Sequence, residues 1–388
     1  MNILYVSDSP TVSGAEVVLL GEIDHFRSRG DRCFAYVPSG NARLLADLER
    51  RNASCLATDS YSRILLETTL NPRSLAHFAR AFWRVGREIG RVLREDRIDL
   101  VHSISYPASL YAAAPARRAR VPHVWHEHNI KRIHRANRHL DRLASMSCRW
   151  VVGPSQAVTR NLAAAGIPET KLRTVYNGID LARFCLDDAA AATVRRELGV
   201  QPAESAVGLF GQMLPHKGHR TLIQAAPRIL RDCPTTRFFF VGALENPPYQ
   251  EQLRHELRQS GLESRFVFTG WRSDVQNVIQ AMDVVVVATT TAEPAALALM
   301  ETMAMARPIV ASRTGGTAEI VGDGVTGLLF EAGNGEDLAR QVIRVLTEPT
   351  LAGELGRAGR ARVEEAFALD RHLREMEGLY FEAITPRR

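Results

Sequence analysis

The sequence predicts two Rossmann-like α/β domains in tandem, each a parallel sheet covered by helices on both faces. Short unbroken apolar runs recur along the chain, Val284-Val285-Val286-Val287-Ala288 among them, and such runs belong to strands buried on both sides. Helix-length amphipathic segments separate these runs, as parallel crossovers require. A chain of 388 residues is also longer than one hydrophobic core usually serves.

In the first half, strands are expected at residues 2–7, 33–37, 100–103, 123–128, 150–152 and 173–176, with helices at 16–27, 73–94, 109–119, 135–147 and 157–165. In the second half, strands are expected at 206–210, 237–241, 266–269, 284–288, 309–311 and 327–330, with helices at 219–231, 249–260, 275–281, 295–306 and 338–346. Asn177-Gly178 has turn chemistry, and a polar, alanine-rich stretch follows it. The expected organisation is therefore a first domain over residues 1–180, a linker over 181–200 and a second domain over 201–368. In residues 369–388 Leu373, Met376, Leu379 and Phe381 stand at helical spacing, in a helix that could cross back to the first domain.

Composition narrows the function classes. Hydrophobic residues make up 45% and charged residues 24%, which fits a packed globular protein rather than a disordered one. No apolar run approaches the ~18 residues of a membrane span. The start of the chain has no basic region ahead of an apolar stretch, so a cytoplasmic protein is expected. Cys33, Cys55, Cys148, Cys185 and Cys233 are odd in number and form no Cys-x-x-Cys pair, which sets aside zinc ribbons and disulfide frameworks. The formal charge is +6, but residues 1–190 hold 27 Lys and Arg against 19 Asp and Glu, and the remainder holds 22 against 24. Positive charge thus belongs to the first half and bears on what that half binds. Lysines are rare (Lys131, Lys171 and Lys217), which singles out Lys217 in its glycine-flanked loop.

Four loops carry candidate chemistry. After the first strand, Ser13 and Glu16 have capping-box spacing around Gly14, so a helix start with free N–H groups lies at a strand's carboxyl end and suits a phosphate. An ordinary strand–helix turn would read the same way. In Gly211-Gln212-Met213-Leu214-Pro215-His216-Lys217-Gly218, Lys217 projects from the next such edge as a phosphate partner, or as a solvated loop lysine. In Glu293-Pro294-Ala295-Ala296-Leu297-Ala298-Leu299-Met300-Glu301, Pro294 is expected at the first helical position. Two carboxylates in so apolar a helix need polar partners. Sugar or ribose hydroxyls would serve, and a capping Glu293 with an unrelated ion pair at Glu301 is the alternative. Gly315-Gly316 opens a fourth loop, where backbone N–H groups can approach an anion. His126 and His128 share one face of a strand without supplying a third ligand, so no metal site is expected there.

Taken together, these loops resemble the retaining glycosyltransferases of family 4, with the two-domain GT-B fold. The resemblance spans nearly the whole chain. It rests on Ser13-Gly14-Ala15-Glu16, Val175-Tyr176-Asn177-Gly178-Ile179-Asp180, Gly211 to Lys217-Gly218, Glu293 with Glu301, and Gly315-Gly316-x-x-Glu319. It implies two sheets facing across a cleft and a nucleotide-sugar donor, UDP- or GDP-linked, with no cofactor and no metal. The Gly14 loop and Lys217 would meet the donor diphosphate, and Gly315 and Gly316 would help close the phosphate pocket. Glu301 would hold the ribose, while Glu293 and His128 would face the donor sugar. Gln212, Ala295, Ala296 and Leu297 would line the donor site. This chain departs from many members at three places: Gln212 where they have Arg, Ala295-Ala296 where they have Phe-Gly, and Ala306 for a common Gly. Ala306 reads as a packing change. A non-catalytic nucleotide-sugar-binding module, or a sugar-nucleotide epimerase or phosphorylase, would use the same motifs.

The acceptor is expected to be a saccharide or lipid-linked molecule in cell-surface glycan or glycolipid synthesis, with an anionic membrane surface as a further partner and no nucleic acid. Arg117-Arg118-Ala119-Arg120 and the run from Lys131 and Arg132 through Arg135, Arg138 and Arg142 supply basic clusters. Phe78, Phe82, Val85, Ile89 and Val92 share one side of a helix whose remainder is arginine-rich, as in an interfacial helix or, alternatively, in a helix packed on the sheet under a solvated arginine surface.

Overall fold

The computed structural model describes residues 1–61, 72–131, 135–244 and 246–385. They form two compact units, one of Met1–Tyr176 with the C-terminal stretch from His372, the other of Asn177–Arg371. In the first unit the chain runs β1 (Asn2–Val6), α1 (Gly14–Ser28), β2 (Arg32–Pro38), α2 (Ala42–Arg50), β3 (Ser54–Thr58), α3 (Pro72–Glu95), β4 (Leu100–Ser103), α4 (Tyr106–Ala119), β5 (His123–His126), α5 (Arg135–Met146), β6 (Trp150–Gly153), α6 (Gln156–Ala164) and β7 (Leu172–Thr174). Its parallel sheet has the order β3-β2-β1-β4-β5-β6-β7. Side chains alternate across the sheet. Ile3 and Tyr5 enter one core with Leu19, Ile23 and Phe26 of α1, while Leu4 and Val6 enter another with Val85 and Ile89 of α3. Both faces are covered, which is why the strand reads as unbroken apolar sequence.

The second unit runs α7 (Asp188–Glu197), β8 (Ser205–Phe210), α8 (His219–Asp232), β9 (Thr236–Val241), α9 (Pro247–Gln259), β10 (Phe266–Gly270), α10 (Val275–Gln280), β11 (Val284–Val287), α11 (Leu297–Ala304), β12 (Ile309–Ser312), α12 (Thr317–Ile320), β13 (Leu328–Phe330), α13 (Gly335–Thr347) and α14 (Pro349–Ala366). Its parallel sheet has the order β10-β9-β8-β11-β12-β13. The last helix, α15 (Leu369–Ile384), brings Met376, Leu379, Tyr380 and Ala383 into the first unit's core. In each sheet the first strand of the unit lies between the second and the fourth, so the connections reverse direction there. Open α/β sheets bind ligands at the carboxyl end of such a switch point.

Several elements were absent from the expected set or differ from it. Strand β3 sits at the sheet edge, and its residues Ser54, Cys55, Leu56 and Ala57 are exposed or half-buried, so it lacks an apolar run. Helix α7 fills part of the expected linker and buries Ala191 and Val194 alone. Helix α14 buries Gly356 and Gly359 against its neighbours, and a Cβ at Gly356 would lie 2.3 Å from the Ala306 carbonyl oxygen. Close packing thus requires residues that propensity reads as helix breakers. In α15 the buried aromatic is Tyr380, while Phe381 is 48% exposed.

The interfacial reading of α3 is corrected. Val85, Ile89 and Val92 are buried in the core, with Phe78 and Phe82 packed against them. That side of the helix covers the sheet and cannot also enter a bilayer. Arg80, Arg84, Arg87, Arg91 and Arg94 lie exposed around the rest. Arg132 of the second basic cluster is outside the described residues.

Candidate active site

The second sheet places its chemistry at the switch point between β8 and β11. Beyond β8 the chain turns through a short 3-10 segment, Pro215–Lys217, and enters α8 at Gly218, which has a left-handed φ of 77°. A Cβ at Gly218 would lie 1.8 Å from the carbonyl oxygen of Ala288, so only glycine lets this loop cross the end of β11. The crossing carries the Lys217 ammonium to 3.0 Å from Glu293 Oε2. Glu293 is 6% exposed and also accepts a hydrogen bond of 2.9 Å from the Thr289 hydroxyl. A carboxylate this deeply placed requires such partners.

The backbone of Glu293 is clamped from the β12 side. Gly315 has φ 48°, and a Cβ there would lie 2.1 Å from the Glu293 carbonyl oxygen. The Gly316 N–H donates to that oxygen at 2.7 Å. Asn177 Nδ2 donates to the Ala295 carbonyl at 3.4 Å. With these carbonyls held from outside, residues 293–296 cannot wind as helix. Helix α11 starts at Leu297 with Ala296 as its cap, so the expected helical start at Pro294 is corrected. The Gly316 N–H expected to face an anion instead fixes the acid loop.

Glu301 lies on α11 one turn beyond Leu297. Desolvation pushes its carboxyl up to about 7, with Arg183 pulling the other way. Gln212 follows Gly211 directly beyond β8, and Ala295 is buried. Lys217, Gly315 and Gly316 thus all meet Glu293, the first at its carboxylate and the glycines at its backbone.

In the first unit, Gly14 is the first residue of α1, and Glu16 reaches back to the Ser13 N–H at 2.9 Å, completing the expected capping box. Burial raises the Glu16 carboxyl, against the hydrogen bonds from Ser13. His128 lies beyond β5 with its ring centroid 4.0 Å from that of His126, and burial pushes its imidazole down to about 3. His126, Glu22 of α1 and His102 of β4 present ligand atoms within 4.8 Å of one another. His128 is not part of this group, and the partners of His126 come from distant segments rather than from the segment it shares with His128.

Comparison with known proteins settles the kinship. Residues 12–183 match the family described as Glycosyltransferase Family 4, and residues 204–348 match Glycosyl transferases group 1. The D-inositol 3-phosphate glycosyltransferase of Kribbella flavida is 30% identical over 76% of this chain and 72% of its own. The chain belongs to glycosyltransferase family 4. The lipopolysaccharide core biosynthesis mannosyltransferase LpcC of Rhizobium leguminosarum is 27% identical, covering 69% of this chain and 79% of that protein. The structure of Anabaena HepE in complex with UDP and glucose superimposes with a TM-score of 0.85 at 23% identity, covering 98% of this glycosyltransferase and all of HepE, and matches its GT-B architecture of two parallel-sheet α/β domains.

Two polar residues that hold the acid loop of this glycosyltransferase escaped the sequence reading. Thr289 holds the Glu293 carboxylate, and its signal was a run of hydroxyls, Thr289-Thr290-Thr291, closing an apolar strand. Asn177 was read as a turn residue, and nothing local announces its bond to Ala295. Beyond β10, Arg272 is engaged with Asp274 at 2.7 Å and with Glu197. Among the described residues no helix is long and apolar enough to cross a membrane.

Proposed function

We propose that this glycosyltransferase moves a sugar from a nucleoside-diphosphate sugar, UDP- or GDP-linked, to an acceptor hydroxyl with retention of configuration and without a metal ion at the donor. The observation that carries the reading is the Lys217 ammonium beside the nearly buried Glu293 carboxylate, 3.0 Å away, at the second sheet's switch point. Sugar transfer needs positive charge on the departing diphosphate and negative charge near an oxocarbenium-like sugar, and this pair supplies both. In the free protein the two neutralise each other. Donor binding lets the diphosphate share Lys217 and leaves Glu293 facing the sugar. Glu301 accepts hydrogen bonds from the ribose.

The acceptor belongs to cell-surface glycan, glycolipid or lipid-linked saccharide synthesis, met at an anionic membrane face. In support, Arg84, Arg87 and Arg91 of α3, Arg117 and Arg118 of α4, and Arg138 and Arg142 of α5 are exposed. Trp83, Leu143 and Met146 are 62%, 59% and 58% exposed among them. Each basic residue near such a surface contributes roughly 1 kcal/mol.

A thermal-shift and turnover screen against UDP-, GDP- and ADP-sugars tests the donor reading. Stabilisation by one nucleotide class and slow release of nucleoside diphosphate without added divalent ion are expected. No response to any donor, or strict dependence on an added ion, overturns it. Co-sedimentation with anionic against neutral vesicles at low and high salt tests the surface, with salt-sensitive binding to the anionic vesicles expected. Equal, salt-insensitive partitioning points to a water-soluble acceptor.

A further inference from the structure

Inside the first unit lies a cluster that the donor chemistry does not use. Glu22 of α1, His102 of β4, His126 of β5 and His372 of α15 are all buried, none more than 2% exposed. Glu22 Oε2 lies 3.1 Å from His102 Nδ1, and Glu22 Oε1 lies 3.2 Å from His372 Nε2 and 3.9 Å from His126 Nδ1. Tyr380 donates its hydroxyl to Glu22 Oε2 at 2.8 Å and touches His102 Nδ1. Strands β4 and β5 and the C-terminal helix α15 thus converge on one carboxylate of α1.

The hydrogen bonds of this cluster do not close with an ionised Glu22 and neutral histidines. His372 Nδ1 faces the Tyr176 carbonyl at 2.9 Å, and a carbonyl can only accept, so the Nδ1 proton is assigned. In neutral His372 the Nε2 lone pair then points at a carboxylate oxygen, two acceptors face to face. His126 has neither ring nitrogen hydrogen-bonded, although the residue has no exposed surface, and a buried polar group without a partner is unfavourable. Among the described residues the groups hydrogen-bonded or ion-paired to the Glu22 carboxylate are imidazoles and hydroxyls, never a lysine or arginine. A buried carboxylate, a fully buried imidazole without a partner, and ligand atoms of Glu22, His102 and His126 within 4.8 Å of one another are the donor set of a metal ion.

We propose that Glu22, His102 and His126, with His372 completing the set, bind a structural divalent cation of the zinc class. Nitrogen and carboxylate ligands at ~2.0–2.2 Å in a tetrahedron stand about 3.3 Å apart, against the separations of 3.1 to 3.9 Å given above. The ligand atoms of Glu22, His102 and His126 lie within 4.8 Å of one another, so closing the set draws these side chains inward and brings His372 in behind them. The ion would join α1, β4 and β5 to the C-terminal helix, and the Tyr176 carbonyl would orient His372 from behind, as outer partners of metal-bound histidines do. It lies under His126, whose ring packs on His128, and it takes no part in the donor chemistry at Lys217 and Glu293.

The test begins with protein produced in zinc-supplemented medium, purified on a tag without histidine, and analysed for metals. About one zinc per chain is expected. Replacement by cobalt should give the visible absorption of a low-symmetry nitrogen–oxygen site, and His126→Ala should lose both the bound metal and the cobalt spectrum. His372→Gln gives a second variant in case His126→Ala does not fold. Removal of the metal with chelator under mild denaturation should lower the melting temperature, and zinc should restore it. Protein that contains no metal, takes up no cobalt and melts identically with zinc and with chelator overturns the proposal.

Discussion

The two sheets share the order 3-2-1-4-5-6 in their first six strands and place ionisable groups against it in opposite ways. The second unit sets Lys217 and Glu293 at the carboxyl edge, with Lys217 still 23% exposed on its side chain. The first unit sinks Glu22 and three histidines into the core, where none is more than 2% exposed. One arrangement can exchange partners with a ligand, because a charge at the rim regains water or substrate when its partner leaves. The other cannot, because a buried charge without its partner keeps the whole desolvation penalty. Changes at the rim should therefore act on turnover, and changes in the core on stability.

The sharpest way to break this contrast is Glu293→Gln. Retaining shape and removing charge, it should lower kcat about 100-fold with the melting temperature nearly unchanged. Unaltered kcat in a folded variant would remove Glu293 from the site. Lys217→Ala should lower kcat/KM for the donor at least about tenfold, ~1.4 kcal/mol.

In the core the signs reverse. Tyr380→Phe deletes the hydroxyl that donates to Glu22 and should destabilise by about 1–3 kcal/mol, read by denaturant titration, with kcat within about twofold of wild type. A large loss of kcat at full stability would show that core and rim are not separate.

Glu301 sharpens the comparison because it lies between the extremes. Its carboxyl is raised from 4.5 to about 7 by desolvation. Below that pH it is neutral and above it a carboxylate, which in the proposed role accepts from ribose hydroxyls. Donor kcat/KM should therefore rise with pH through about 7, a few-fold in all, and Glu301→Gln should flatten the profile and raise the donor KM. The same shift means that the folded state holds a proton the unfolded chain has lost between 4.5 and about 7. Stability contributed below this window is lost as pH rises through it.

The smallest effect concerns Ala306. Read from the sequence as a packing change, it adopts a left-handed φ of 50°, where a Cβ is strained. Ala306→Gly should stabilise the protein by about 1 kcal/mol, measured by thermal or denaturant unfolding, without altering turnover.

The sequence by itself determined the parallel sheets, because strands buried on both faces must be apolar throughout, as in Val284–Val287. It also determined the helix starting after β1, since Ser13 and Glu16 satisfy each other locally. The candidate rim residues were legible because Lys217 and Glu293 are polar exceptions in apolar or glycine-rich surroundings. What the sequence could not give was contact between segments. The pairing of Lys217 with Glu293 spans 76 residues, and the hold of Tyr380 on Glu22 spans 358. The irregular backbone before α11 is set by Gly315, Gly316 and Asn177, none of which lies in that segment. Only the tertiary structure decided these points, because local propensity acts over a few residues while a buried charge finds its partner wherever the sheet order brings one.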